Sequence, residues 1–404
     1  MDLDENNDTL SQPLVENDRL VSSTLEQEED VSVGISDEPK RRQVPTLVFI
    51  VVSMIVLIAI LFSAVVFIPP APAPVADKSP LRVFVLAGQS NMVGHGFISK
   101  KDGGKELNGT LESLISMYPD QFGMLKAKKA ENGKELGPHS ASSLSSSSSS
   151  WTVREDVLIV CNHQEYDDPS IEEAPRLKGK LYAGMCGGDG SQLHMGPELG
   201  FGWSVGDALN TKENDDKILI VKIAWGGKSL EVDFRPPSSG NTGPYYTTMI
   251  HEVKNFLASV SKYFPEEYNR PVALAGFSWH QGWNDLINVT AADDYEKNLA
   301  NLIRDIRKDL NVSDLPIAIA ASGMGSSKRA EDVVHAQLAV SKYPEFNGTV
   351  ISVDTRGFRR DPPPASPGNQ VYHWYNNCES YWLIGRSLGN AMVELVRRRE
   401  KTNP

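Results

Sequence analysis

Val83-Phe84-Val85-Leu86-Ala87-Gly88-Gln89-Ser90-Asn91-Met92-Val93-Gly94-His95-Gly96 decides how the rest of the chain is read. It opens as an unbroken apolar run, the pattern of a strand buried on both faces. Gly88 permits a sharp turn at its end. The polar residues that follow then stand at the carboxyl edge of a sheet, where open α/β folds place their ligands. A hydroxyl fixed at that edge is a nucleophile if an imidazole can reach it. Ser90 can equally serve as a helix cap, and the pentapeptide does not decide between the two.

Outward from this stretch, apolar strand-like runs recur at 82–87, 156–160, 217–224, 271–278, 315–321 and 349–353. Helical periodicity fills 198–210, 246–263, 291–309 and 329–342, and a last helix spans about 378–399. Strands alternating with helices predict a parallel sheet covered on both faces. Residues 99–150 interrupt the rhythm with Lys126-Ala-Lys-Lys129 and a serine run from Ser145 to Ser150, which reads as low complexity.

Upstream, composition changes sharply. Residues 1–42 hold twelve acidic and four basic residues, so −8 of the chain's net −12 sits there and only −4 remains for the other residues. That tail reads as disordered, and the rest has no nucleic-acid footprint. Lys40-Arg41-Arg42 precedes Thr46 to Ile68, 23 residues without a charge, long enough to cross a hydrocarbon core of ~30 Å. The forty polar residues before it disfavour a cleaved leader, and the basic cluster on its amino side predicts a cytosolic amino terminus. The four sequons, at Asn108, Asn288, Asn311 and Asn347, all follow the apolar segment, as a lumenal or extracellular domain requires. Three cysteines make neither a disulfide framework nor a zinc spacing; a Cys161–Cys186 bridge is left open, with Cys378 over.

The chain has no Gly-x-Ser-x-Gly elbow, dinucleotide fingerprint, phosphate loop or His-Glu-x-x-His. Three other stretches follow strand-like runs. Ala224-Trp-Gly-Gly-Lys-Ser229 frees backbone N–H groups at Gly226 and Gly227 to face an anion, or is an ordinary turn. Phe277-Ser-Trp-His-Gln-Gly-Trp-Asn-Asp285 offers two side-chain amides, Gln281 and Asn284, as oxyanion donors or loop ties. Val371-Tyr-His373-Trp-Tyr375 supplies an imidazole, with His280 and His95 as rivals.

Taken in order, Ser, Gly, Asn/Gln and His, the four stretches resemble the SGNH hydrolases. Within these they are similar to the sialate O-acetylesterase-like group that includes carbohydrate esterase family six. Gln-Ser-Asn-Met, Trp-His-Gln-Gly, Gly196-Pro-Glu-Leu-Gly-Phe-Gly202 and the His373 segment carry the likeness. The resemblance implies a three-layer α/β/α flavodoxin-like domain without metal or cofactor. In it Ser90 attacks an ester carbonyl, His373 is the base, and Gly227 (or Gly226), Asn284 and Gln281 form the oxyanion hole with the Ser90 N–H. The group commonly has Asp three residues before the histidine; here that position is Gln370. Asp354 is then the first substitute, with Asp361 and Glu379 behind it, or the site is a Ser–His dyad.

The expected organisation is a disordered acidic cytosolic tail (1–43), a transmembrane helix (44–68), a Pro-rich spacer (69–80) and an esterase domain (81–398) carrying the 99–150 insertion. The expected protein is a type II membrane-anchored serine esterase acting on acetylated carbohydrate, sialate or plant-type polysaccharide, with no nucleic-acid partner. The alternative is an inactive glycan-binding ectodomain on the same scaffold.

Overall fold

A computed structural model describes residues 79–127, 150–164, 176–188, 191–210, 216–267 and 269–402. The acidic tail, the apolar segment 46–68 and the serine run at 145–149 lie outside the described residues. Among those described, no helix is long and apolar enough to cross a membrane.

The sheet has seven strands. In chain order they are β1 (Leu81–Gly88), β2 (Arg154–Gln164), β3 (Arg176–Leu181), β4 (Ile218–Trp225), β5 (Val272–His280), β6 (Ile317–Ala320) and β7 (Val350–Val353). They lie side by side as β7-β6-β5-β1-β4-β2-β3. All neighbours are parallel except β2 and β3. With β2 and β3 set aside, the five core strands follow the doubly wound 2-1-3-4-5 order, and the order reverses at β1. The sheet is mainly parallel and the fold mixed α/β, the class the resemblance implies.

The antiparallel strand β3 corrects the expectation of an all-parallel sheet. Its sequence, Arg-Leu-Lys-Gly-Lys-Leu, alternates charge with apolar residues. That alternation suits an edge with one wet face, and its lysines discourage further pairing. The remaining strands are nearly continuous apolar runs because both of their faces are covered. Phe84 and Leu86 face one cluster, packed under α2 (Pro197–Leu209) and α6 (Cys378–Thr402). Val83, Val85 and Ala87 face the other, under α3 (Pro244–Ala258), α4 (Tyr295–Asp309) and α5 (Lys328–Val340). Adjacent residues of one strand thus seed both layers.

Part of the interruption at 99–150 is ordered structure. Thr110 caps α1 (Leu111–Met117), its hydroxyl accepting from the Ser113 N–H at 3.2 Å, and Leu111 and Leu114 are buried. Cys161 on β2 is disulfide-bonded to Cys186, with 6.0 Å between Cα atoms. Closing a loop of this size removes about 3 kcal/mol of unfolded-chain entropy. Cys378 is buried and unbridged.

The register positions the site. Gly88 lies opposite Ala224 on one side and His280 on the other. The loops after β1, β4 and β5 therefore leave from the same point on the carboxyl rim.

Candidate active site

The first loop is fixed by close backbone approach. A Cβ on Gly88 would lie 2.1 Å from the His280 carbonyl oxygen, so β1 and β5 can end side by side only with glycine there. Gln89 is extended, and the one-turn helix Ser90–Val93 follows. At its other end Gly94, at φ +92°, crosses Gly196, whose Cα lies 2.2 Å from where a Cβ would stand. Ser90 sits between these two crossings and is 6% exposed.

Its two neighbours fasten it to the other loops. Gln89 Oε1 accepts from Gln281 Nε2 (3.1 Å), the Gly282 N–H (3.1 Å) and the Asn284 N–H (3.3 Å). Asn91 Nδ2 donates to the Tyr372 carbonyl at 2.9 Å, and Asn91 Oδ1 accepts from Tyr381 Oη at 2.9 Å. Gln89 thus binds the 281–284 block and Asn91 the histidine segment. Below, the buried Lys222 ammonium donates to the Val93 carbonyl and to Glu198 Oε2, both at 2.7 Å, and to the Cys186 carbonyl. Burial pushes the Lys222 pKa down and the Glu198 charge opposes that shift.

The second loop turns at Gly227, φ +67°, which is exposed. The Asn284 amide donates to the Gly227 carbonyl, bringing the half-buried Asn284 beside the turn. The backbone N–H groups of Ser90 and Gly227 have no acceptor among the described residues. Behind them Asp285, fully buried, accepts from the Leu230 and Glu231 N–H groups and from Gln281. Burial pushes its carboxyl up to about 7, against the pull of those donors.

Gln281 stands differently from the expectation. It is 1% exposed, and its amide group faces Gln89, Lys228 and Asp285 while its oxygen accepts from Tyr295 Oη. Its donors are spent inside the protein, so it holds the loop and offers nothing to an oxyanion.

His373 lies in the turn Val371–Asn376, where Trp374, Tyr375 and Asn376 all take positive φ. Three left-handed non-glycine residues in a row are costly and persist only where the surroundings impose them. Trp374 is fully buried, Asn376 Nδ2 donates to the His95 carbonyl at 3.0 Å, and the His373 and Tyr375 N–H groups both donate to the Gln370 carbonyl at 2.9 Å. The His373 ring stacks on His95 at 3.8 Å and 6°. Its Nδ1 faces Gln370 Oε1 at 3.4 Å. Burial, and secondarily the charge of His194, push its pKa down to about 4. Its rival His280 is fully buried with Nδ1 against the Ala320 carbonyl, which takes it out of reach of substrate.

The Ser90 hydroxyl makes no hydrogen bond to His373 here. Such bonds are often long in the free enzyme and tighten with substrate. Asp354 is corrected outright. It is exposed and ion-paired with Arg356 at 2.6 Å, and no bond joins it to His373. The Arg356 guanidinium holds its carboxyl below the usual range. Glu379 is paired with Arg360 at 2.7 Å, and Asp361 is exposed. Of the four tryptophans near the site, Trp225, Trp279 and Trp374 are core residues; only Trp283 is half-buried, 5.8 Å from the exposed Tyr372 ring.

Sequence reasoning missed the tethers Gln89, Asn91 and Asp285 and the stacked His95. The signal was present for the first two, as amide side chains on either side of the serine. His95 was named only as a rival base, and nothing in the sequence pointed to its stacking under His373.

Comparison with known proteins now bears on this geometry. A family described as carbohydrate esterase, sialic acid-specific acetylesterase matches residues 179–392. A probable carbohydrate esterase of Arabidopsis thaliana (At4g34215) is 33% identical over 280 residues, 69% of this chain and 80% of that protein. Among solved structures, that Arabidopsis protein aligns with TM-score 0.46 at 20% identity, over 78% of this chain and 98% of its own. A carbohydrate acetylesterase from Xanthomonas citri aligns at 0.42 and 15%, over 77% and 55%, and NanS at 0.44 and 14%, over 81% and 100%. The class is thus a carboxylic ester hydrolase. The chain belongs to the sialic acid-specific acetylesterase family of carbohydrate esterases, and is a carbohydrate acetylesterase.

Proposed function

We propose that the protein removes O-acetyl groups from glycans by a Ser90–His373 mechanism. The observation that carries this reading is the tethering of Ser90. Gln89 on one side binds the Asn284 block, and Asn91 on the other binds the His373 segment. Ser90 Oγ attacks the acetyl carbonyl and passes its proton to His373 Nε2. The oxyanion is held by the Ser90 and Gly227 N–H groups and by Asn284 Nδ2. The C–O bond to the sugar breaks, and the departing oxygen takes the proton from His373. Water, activated by the same imidazole, then attacks the acetyl-serine and releases acetate. Trp283 and Tyr372 supply the half-exposed aromatic faces on which a sugar ring can stack.

We propose further that the site faces the secretory lumen or the cell exterior, on a domain anchored by the apolar segment 46–68. The Cys161–Cys186 bridge supports an oxidising compartment. All four sequon asparagines are exposed, as glycan attachment requires.

Release of acetate from an acetylated sugar or from p-nitrophenyl acetate tests the mechanism. Ser90→Ala should abolish it, by 10³-fold or more; unchanged release removes Ser90 from the chemistry. The second reading, a glycan-binding domain without turnover, rests on Gln370 standing where the group commonly has Asp. A fluorophosphonate probe separates the two. Labelling that disappears in Ser90→Ala marks an activated nucleophile, and no labelling of the folded protein favours the binding domain.

A further inference from the structure

The place where the acid is expected holds an amide that is itself tethered. Gln370 Oε1 faces His373 Nδ1, and Gln370 Nε2 donates to Tyr372 Oη at 3.0 Å. The backbone of the same residue caps the turn, its carbonyl accepting from the His373 N–H. Gln370 thus holds both ends of the histidine, the peptide and the ring.

We propose that Gln370 is the positioning residue of this site: its amide oxygen, facing Nδ1 on a side chain held by Tyr372, keeps His373 in the Nδ1–H form that leaves Nε2 free to take the serine proton. The inference rests on the Ser90–His373 reading. The orientation of the amide is what matters. Were it reversed, an N–H would face Nδ1, Nδ1 would become the acceptor, and the proton would move to Nε2, where it blocks the base. Tyr372 Oη accepts from Gln370 Nε2 at 3.0 Å and holds the amide beside the ring; a phenol can also donate, so the sense of the amide is set together with the tautomer of the ring.

An amide differs from a carboxylate in one respect, the charge. The groups facing His373 are His95 beneath the ring, His194, the Tyr372 edge at 4.6 Å and Gln370. Among the described residues none of these is anionic, and Asp354 and Glu379 are each paired with an arginine elsewhere. No described carboxylate therefore offsets the imidazolium formed during attack, which should slow turnover. In return the imidazole stays neutral, and competent as a base, in acid where a carboxylate-paired histidine would already be protonated.

The test uses the full chain and three variants. Gln370→Ala should lower kcat by roughly 10²-fold, the scale of general-base catalysis, with KM little changed. Gln370→Glu keeps the size and adds the charge. It should raise kcat and move the acid limb of the kcat/KM profile upward by a pH unit or more from near 4. Tyr372→Phe should lower kcat several-fold, because the amide loses the hydroxyl that holds it beside the ring.

Imidazole ¹⁵N shifts of histidine-labelled protein give a readout that does not need activity. The wild type should show His373 protonated at Nδ1, and Gln370→Ala a mixture of the two forms. An Nε2–H form in the wild type overturns the inference. So does an unmoved acid limb in Gln370→Glu, or undiminished kcat in Gln370→Ala. If Ser90→Ala stays fully active, the Ser90–His373 reading has failed instead, and the ¹⁵N shifts still decide what Gln370 does to the ring.

Discussion

The two corners of the site are built by different means. The serine corner continues directly from a central strand, with Gly88 against His280 and the buried Lys222 beneath Val93. Every turn there follows from strand register and from polar groups bonded in pairs. The histidine corner is separated from the last strand by seventeen residues, on a turn with three successive positive-φ residues and, among the described residues, no carboxylate bonded to the ring. The first corner is rigid through the sheet itself. The second is rigid only through what it leans on: Asn91, Asn376, His95 and Gln370. A site joined from two such halves should fail abruptly when the chemistry is removed, and by degrees when a support is removed.

The largest effect on that contrast after the loss of Ser90 is expected at Asn284, which alone of the two expected amides keeps a half-buried place on the rim. Asn284→Ala should lower kcat by 10²–10³-fold and leave the melting temperature nearly unchanged. Gln281→Ala should do the reverse. Its amide joins Gln89, Lys228, Asp285 and Tyr295 in a buried network, so truncation should cost on the order of 2–3 kcal/mol of stability. Its effect on kcat should be smaller than that of Asn284→Ala. Thermal melts beside acetate-release kinetics read both, and a large kcat loss in Gln281→Ala with unchanged melting would return Gln281 to the oxyanion hole.

How much of this was legible from sequence follows the same division. The six apolar runs became strands, and the loops after β1, β4 and β5 fell where the doubly wound order puts them, because a strand buried on both faces writes itself as an unbroken apolar run. The antiparallel β3 was missed because its alternation of charged and apolar residues leaves no continuous apolar run. At the site, Ser90, Gly227, Asn284 and His373 were named from motif and position, and their loops do converge. Asp354 was chosen because it follows the last strand. Nothing in the sequence showed that Arg356, two residues on, would bind it. Gln281 and Asn284 look alike in one dimension; only the buried Asp285 and Tyr295 separate them. The His95 stack depends on a long-range crossing of two loops, which no local pattern records.

The smallest expected effect, and the most specific to the histidine corner, is on stability against pH. Burial pushes His373 down to about 4 from an unfolded value near 6.5. Between those two values the unfolded chain binds a proton that the native ring refuses, so this group's contribution to stability falls as pH drops from 6.5 to 4 and is flat outside that window. The limiting slope is about 1.4 kcal/mol per pH unit. His280, also pushed down to about 4, adds a loss of the same sign. Asp285 acts the other way. Its carboxyl, pushed up to about 7, is protonated in the native state before it is in the unfolded chain, which favours folding as pH falls. The wild-type curve is therefore a compromise and does not isolate one group, but a single variant does. His373→Gln removes one refused proton and leaves His280 and Asp285 in place. Urea unfolding at pH 7.5, 6.0 and 5.0 should show the variant losing less stability on acidification than the wild type, by about 1 kcal/mol per unit below 6. Parallel curves would mean that the ring at 373 titrates as it does in the unfolded chain. The histidine corner would then be open to water, and the serine corner would be the only preorganised half of the site.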